Sequence, residues 1–196
     1  MSETSTKDAP EPEQQAAQSS AAGEAAGPQR AAGAPDLSNV DPATVDPASI
    51  DATAVDALDF ANMVRNASDE QLAAGLAAGR EIILGEVFRR MAEHLDPVLA
   101  DGLDAVVDWH ITGREDGGYD RFQVAIRNGT CEVSRDGAET PRATLELPAI
   151  SFLRVATGNL FGAAVYLSGE LRVEGDLPFA MQMQSYFRIP QPTAGA

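Results

Sequence analysis

The chain has 196 residues, 44 % of them hydrophobic and 22 % charged, with a formal net charge of −16 and one cysteine, Cys131. That length holds one domain of ordinary size plus a tail. The acidity argues against nucleic acid, whose phosphates need a basic surface, and a single cysteine excludes an internal disulfide or a multi-thiolate metal site.

No apolar run is long enough to span a bilayer, so stable membrane insertion is not expected. The opening MSETSTKDAPEPEQQ lacks the basic and apolar regions of a signal peptide. The last residues, 191–196, read as a flexible end without a retention, peroxisomal or prenylation signal. A cytoplasmic protein is the expectation. Lys7 is the only lysine and lies in the tail, which argues against Schiff-base chemistry.

Residues 1–55 read as a disordered acidic tail rich in Ala, Pro and Gly, too poor in apolar side chains to offset ordering entropy. A five-residue beat starts within it and runs over 36–60. Asp36, Asp41, Asp46, Asp51 and Asp56 open the units, and Val40, Val45, Ile50, Val55 and Phe60 close them. A period of five builds neither a helical nor a strand face. The segment is an acidic spacer or a linear docking motif for a protein partner with repeated aliphatic anchors.

A domain is expected over 56–190. A short amphipathic helix ends near Asn66. Ser68-Asp-Glu-Gln71 is a capping box, starting a helix that runs to about His94 with Leu72, Leu76, Ile83, Val87 and Met91 as its buried stripe. Ile82, Phe88 and Leu95 lie alongside, and Pro97 stops it. His94, at its end, reads as structural.

Four strand-like runs follow, over 105–112, 119–127, 130–135 and 144–147. Val107, Trp109 and Ile111 share one face of the first; Phe122, Val124 and Ile126 share one face of the second. Asn128-Gly129 signals a tight hairpin, because both central positions of that turn need positive φ. One apolar and one polar face per strand predicts an antiparallel sheet covered on one side. Asp108 and His110 share the polar face and read as a solvated pair rather than a general base.

Pro148 opens a helix that Thr157-Gly158-Asn159 ends, and a second short helical run spans 160–167. A strand carrying Leu171 and Val173 then meets Gly175-Asp176. Asp176 caps a last helix, reaching Phe187, with Pro178 in its first turn. The expected architecture is α+β, with a five-stranded, mainly antiparallel sheet and helices on one face. No nucleophile elbow, P-loop or dinucleotide fingerprint occurs. The chain therefore reads as a non-enzyme without a cofactor or metal.

Three pieces in order carry a family likeness. They are Val107-Asp-Trp-His-Ile-Thr-Gly113 with the strand Phe122-x-Val124-x-Ile126-x-Asn-Gly129; Ala143-Thr-Leu-Glu-Leu147 leading to Phe152-Leu153-x-x-x-Thr157-Gly158; and Ser168-Gly169-x-Leu171-x-Val173-x-Gly175-Asp176 with Ala180 and Phe187. Over about 70–190 the chain resembles the sterol-carrier-protein type 2 (SCP-2-like) lipid-binding family, in its bacterial form. The resemblance implies an apolar tunnel between sheet and helices. It also implies non-catalytic binding or carriage of a lipid-like molecule: a sterol, isoprenoid, fatty acid or acyl-CoA. The tunnel wall it implies is Trp109, Phe122, Val124, Ile126, Leu153, Phe161, Val165, Tyr166, Phe179, Met183 and Phe187, with the last helix as lid. The competing expectation is an accessory module delivered to a partner or assembly through residues 36–60.

Overall fold

A computed structural model describes residues 55–189. The tail expected over 1–55 lies outside the described residues except for Val55. So do the repeat units before Val55 and the flexible end expected over 191–196.

Helix α1 (Ala57–Asn66) starts on Asp56, whose carboxylate accepts the Leu58 N–H at 2.8 Å. Helix α2 (Asp69–Glu93) starts on the capping box, with Ser68 and Gln71 exchanging side-chain-to-backbone bonds. It kinks at Gly79 (φ −150°, ψ 35°). Glycine is a common cause of such a break. The kink resets the buried stripe by about one residue. Leu72 and Leu76 are buried before it, Leu84, Val87 and Phe88 after it, while Ile83 is half-buried and Ile82 is exposed.

The strands are β1 (Asp104–Thr112), β2 (Asp120–Arg127), β3 (Thr130–Ser134), β4 (Ala143–Pro148) and β5 (Arg172–Gly175). Their order across the sheet is β3-β2-β1-β4-β5. The central β1–β4 pair is parallel and the others are antiparallel. Asn128 (φ 51°) and Gly129 (φ 73°) close the β2–β3 hairpin, both in the left-handed region that the turn demands.

Register lines up the apolar positions in rows. Val173, Leu145, Trp109 and Phe122 form one row; Ala143, Val107, Val124 and Val133 form the next. Over this face lie α2, α3 (Ala149–Ala156) and α5 (Leu177–Gln182). Helix α4 (Gly162–Leu167) connects α3 to β5. The last helix does not run evenly to Phe187: α5 tightens into a 3-10 turn at Met183–Tyr186.

The opposite face is not open along its length, and Asp108 is not solvated. The β3–β4 connection folds back over β1 and β2. Gly137 O accepts from Arg121 at 2.7 Å, and Glu139 pairs with the Gln123 amide through both its backbone N–H and its C=O. Beneath it Asp108 is 6 % exposed, bound by Arg121 (2.7 Å) and Gln123 (2.8 Å). His110 stacks on Tyr119 instead, with ring centroids 4.1 Å apart.

Candidate functional site

A cavity of about 110 Å³, open to the centres of water-sized molecules, lies between sheet and helices. Its floor is Trp109 of β1 with Leu145 and Leu147 of β4. One wall is the end of α2, with Val87, Arg90, Met91 and His94. Phe152, Val155 and Ala156 of α3 form a second. The closing segment supplies Ala180, Met181, Met183, Gln184, Phe187 and Ile189, and α1 adds Ala57 and Phe60. A single water needs about 10–15 Å³ on this measure, so the space exceeds one water several-fold.

Packing around the floor is aromatic. Phe88 stacks between Phe122 (4.0 Å) and Phe152 (4.7 Å), and Trp109 meets Phe88 and Phe152 edge-on at 6.0 and 5.5 Å. Trp109 Nε1 is buried without a hydrogen-bond partner among the described residues.

The polar residues at the rim hold the walls together. Gln184 donates to Val155 O (3.3 Å) and Leu160 O (3.2 Å) and accepts from Gly162 N–H (3.2 Å). Thr157 donates to Leu153 O and accepts from Asn159, which also reaches Ala61 O on α1. Arg90 pairs with Glu86 at 2.8 Å, and the His94 Nδ1 lies 2.8 Å from Arg90 O. The closing segment is fastened at both ends. Asp176 caps α5 through Phe179 N–H (3.0 Å) and pairs with Arg142 (2.7 Å). At the far end Leu95 and Phe187 form a bridge, Arg188 N–H donates to His94 O, and Arg188 pairs with Asp96 at 2.8 Å.

Of the eleven wall residues expected from the resemblance, Trp109, Met183 and Phe187 line this cavity. Phe122, Val124, Ile126, Leu153, Val165 and Phe179 are buried in the surrounding core. Phe161 and Tyr166 stand outward, 72 % and 36 % exposed. The α2 wall and Phe60 escaped the sequence reading. Met91 at its helical spacing from Val87 marked a buried stripe, but not that its end faced a void. Phe60 ends the last repeat unit and Val55, buried, ends the one before, so two of the five repeat anchors pack into the domain.

A second, polar groove of about 770 Å³ lies between Arg80, Arg114, Arg135 and the acids Glu81, Glu115, Asp116 and Asp120. Its arginines are matched internally: Arg80 to Asp120, Arg114 to Asp116 and Asp120, Arg135 to Glu81. Arg80 also donates to the C=O groups of Ile111, Thr112 and Gly113, closing the end of β1. This is strand-end capping. Among the described residues, no three His, Cys, Asp or Glu side chains cluster to hold a metal, and no helix is long and apolar enough to cross a membrane.

The sequence pattern of the SCP-2 sterol transfer family matches residues 84–188, just over half of the chain. Among solved structures the chain is similar to sterol carrier protein 2 from Yarrowia lipolytica in its apo form, at 15 % identity and a TM-score of 0.44, covering 58 % of this chain and 94 % of that one. It is similar to sterol carrier protein 2-like 2 from Aedes aegypti, at 16 % identity and a TM-score of 0.44, covering 57 % and 98 %. A stereoselective inverting sec-alkylsulfatase from Pseudomonas sp. gives 16 % identity and a TM-score of 0.49, covering 71 % of this chain; the chain spans only 25 % of that enzyme's length. A search of curated proteins returned no match.

Proposed function

The chain belongs to the SCP-2 sterol transfer family, and on that premise we propose that it binds and carries a lipid-like molecule in the cavity over Trp109, without catalysing a reaction. The observation that carries this reading is the lining. Phe60, Val87, Leu147, Phe152 and Phe187 present carbon to a space that the protein's own side chains leave unfilled. Met91, Met181 and Met183 add unbranched, polarizable walls that conform to an irregular guest. Each buried methylene contributes about 0.8 kcal/mol. Roughly ten of them reach micromolar affinity before ordering costs are subtracted.

The ligand class is a fatty acyl, isoprenoid or sterol skeleton, its apolar body over Trp109 and its polar end at the rim near His94 and Gln184. The lipid-binding unit is residues 56–190. A partner-docking role for residues 36–60 would rest on Val40, Val45 and Ile50 alone, because Val55 and Phe60 pack into the domain.

Purified full-length chain, extracted with organic solvent and analysed by mass spectrometry, should release an apolar molecule in near-stoichiometric amount. Ala156→Phe places a ring into the cavity from a half-buried helix end. It should reduce the extracted ligand at least tenfold while the melting temperature holds. Extracts without an apolar molecule, from a protein that also fails to take up a fluorescent fatty acid, would overturn the reading.

A further inference from the structure

Helix α4 faces the wrong way for a soluble helix. Phe161, its N-cap, is 72 % exposed and Leu167 is 85 % exposed, with Tyr166 at 36 %. Ala163 and Ala164 are exposed as well, and Val165 is the helix's one buried residue. Scattered surface leucines need no explanation; a run of apolar side chains turned outward together does. Between Arg154 and Glu170 there is no charged residue, in a chain of net charge −16. The neutral stretch is joined to the cavity. Gly162 lines it, and Gln184, also in its wall, bonds to both Gly162 and Leu160.

We infer that α4 with Phe161 is the surface by which the protein docks on a lipid bilayer of neutral headgroups. Three observations fix that occupant. The helix has six residues, about 9 Å of length, far too little for the roughly 800 Å² per partner that a stable protein complex buries. A bilayer interface asks for no shape complement, only for apolar and aromatic side chains that sink about 5–10 Å past the headgroups. Phe161 and Leu167 supply the apolar insertion, and Tyr166 supplies the ring with a polar tip favoured at that depth. The absence of charge between Arg154 and Glu170 lets the patch approach the surface without desolvating an ion, while the acidic remainder is repelled by anionic lipid. The inference goes beyond cavity binding and is read out separately from it.

Full-length protein is floated with phosphatidylcholine vesicles, and with vesicles carrying added phosphatidylserine. Wild type should co-float with the neutral vesicles and bind the anionic ones several-fold less. Phe161→Asp with Leu167→Asp changes two exposed side chains. It should cut neutral-vesicle binding at least tenfold, with melting temperature and extracted ligand unchanged. Wild-type protein that fails to float, or a double variant that floats equally well, overturns the inference. So does sedimentation showing a wild-type dimer that the double variant converts to monomer, because the patch would then be a self-contact. Loss of extracted ligand from wild type would bear on the cavity alone.

Discussion

Removing the Asp108 carboxylate would take from Arg121 and Gln123 the acceptor they share on a covered strand face, leaving each only its bond to the β3–β4 connection. Arg121 keeps partial access to water, its side chain being 34 % exposed, so the cost falls below that of a fully buried broken pair. Asp108→Ala is expected to destabilise the fold by about 2 kcal/mol, measured by urea unfolding. The ligand content of the folded fraction should hold, since Asp108 is on the face away from the cavity. At this scale period-2 alternation placed Val107, Trp109 and Ile111 on the inner face, where they are buried. It could not place Asp108, because alternation says which side of a strand a residue takes, not what crosses over it. The cover is the β3–β4 connection, whose docking depends on the Gln123 amide meeting the Glu139 backbone. Cys131 is similarly determined by its surroundings: burial pushes its thiol up to about 11, leaving it inert at neutral pH.

The closing segment is the element whose behaviour is most conditional. Two carboxylates pin it, and both titrate low. Arg188 beside Asp96 holds that carboxyl below the usual range, helped by the Val98 and Leu99 N–H groups. The Phe179 N–H does the same for Asp176, seconded by Arg142. A carboxyl whose folded pKa lies below its unfolded value of about 3.9 contributes stability above that value and loses it as pH falls through the folded pKa. Below about pH 4 the segment should therefore loosen while the β1–β2 ladder holds. Hydrogen exchange followed from pH 6 to pH 3 should show amides 177–189 losing protection first, together with release of bound ligand; uniform loss across the domain would contradict it. The Asp176 cap and Pro178 were legible in the sequence, as were all five strands. The tightening at Met183 was not, since no local spacing marks it. Gly79 was legible as one of three glycines, with Gly75 and Gly85, that weaken α2, but not as the one at which it kinks, and the kink moved Leu84 into the core in place of Ile83.

For the molecule as a whole, the arrangement puts an apolar void between the sheet and a layer of helices, with neutral α4 beside it. The sheet was readable because its turns and alternation are local. The void was not, because a cavity is the failure of side chains from six separate elements to meet. Its walls gather residues as distant as Phe60 and Ile189. A chain cut after residue 138 would keep α1, α2 and β1–β3 but lose β4. It should sediment as aggregate, whereas residues 55–189 should remain dispersed. The cause is the parallel β1–β4 pair, which sets Val107 against Ala143. Strand β1 is finished about 30 residues before its central neighbour begins, which at a synthesis rate of roughly 5–20 residues per second is a delay of seconds. Through that interval one side of β1 offers bare N–H and C=O groups, a template for stray pairing. The nascent chain is thus most exposed to misassembly before the ligand cavity exists at all, and factors that shield emerging strands should govern its yield more than lipid supply does.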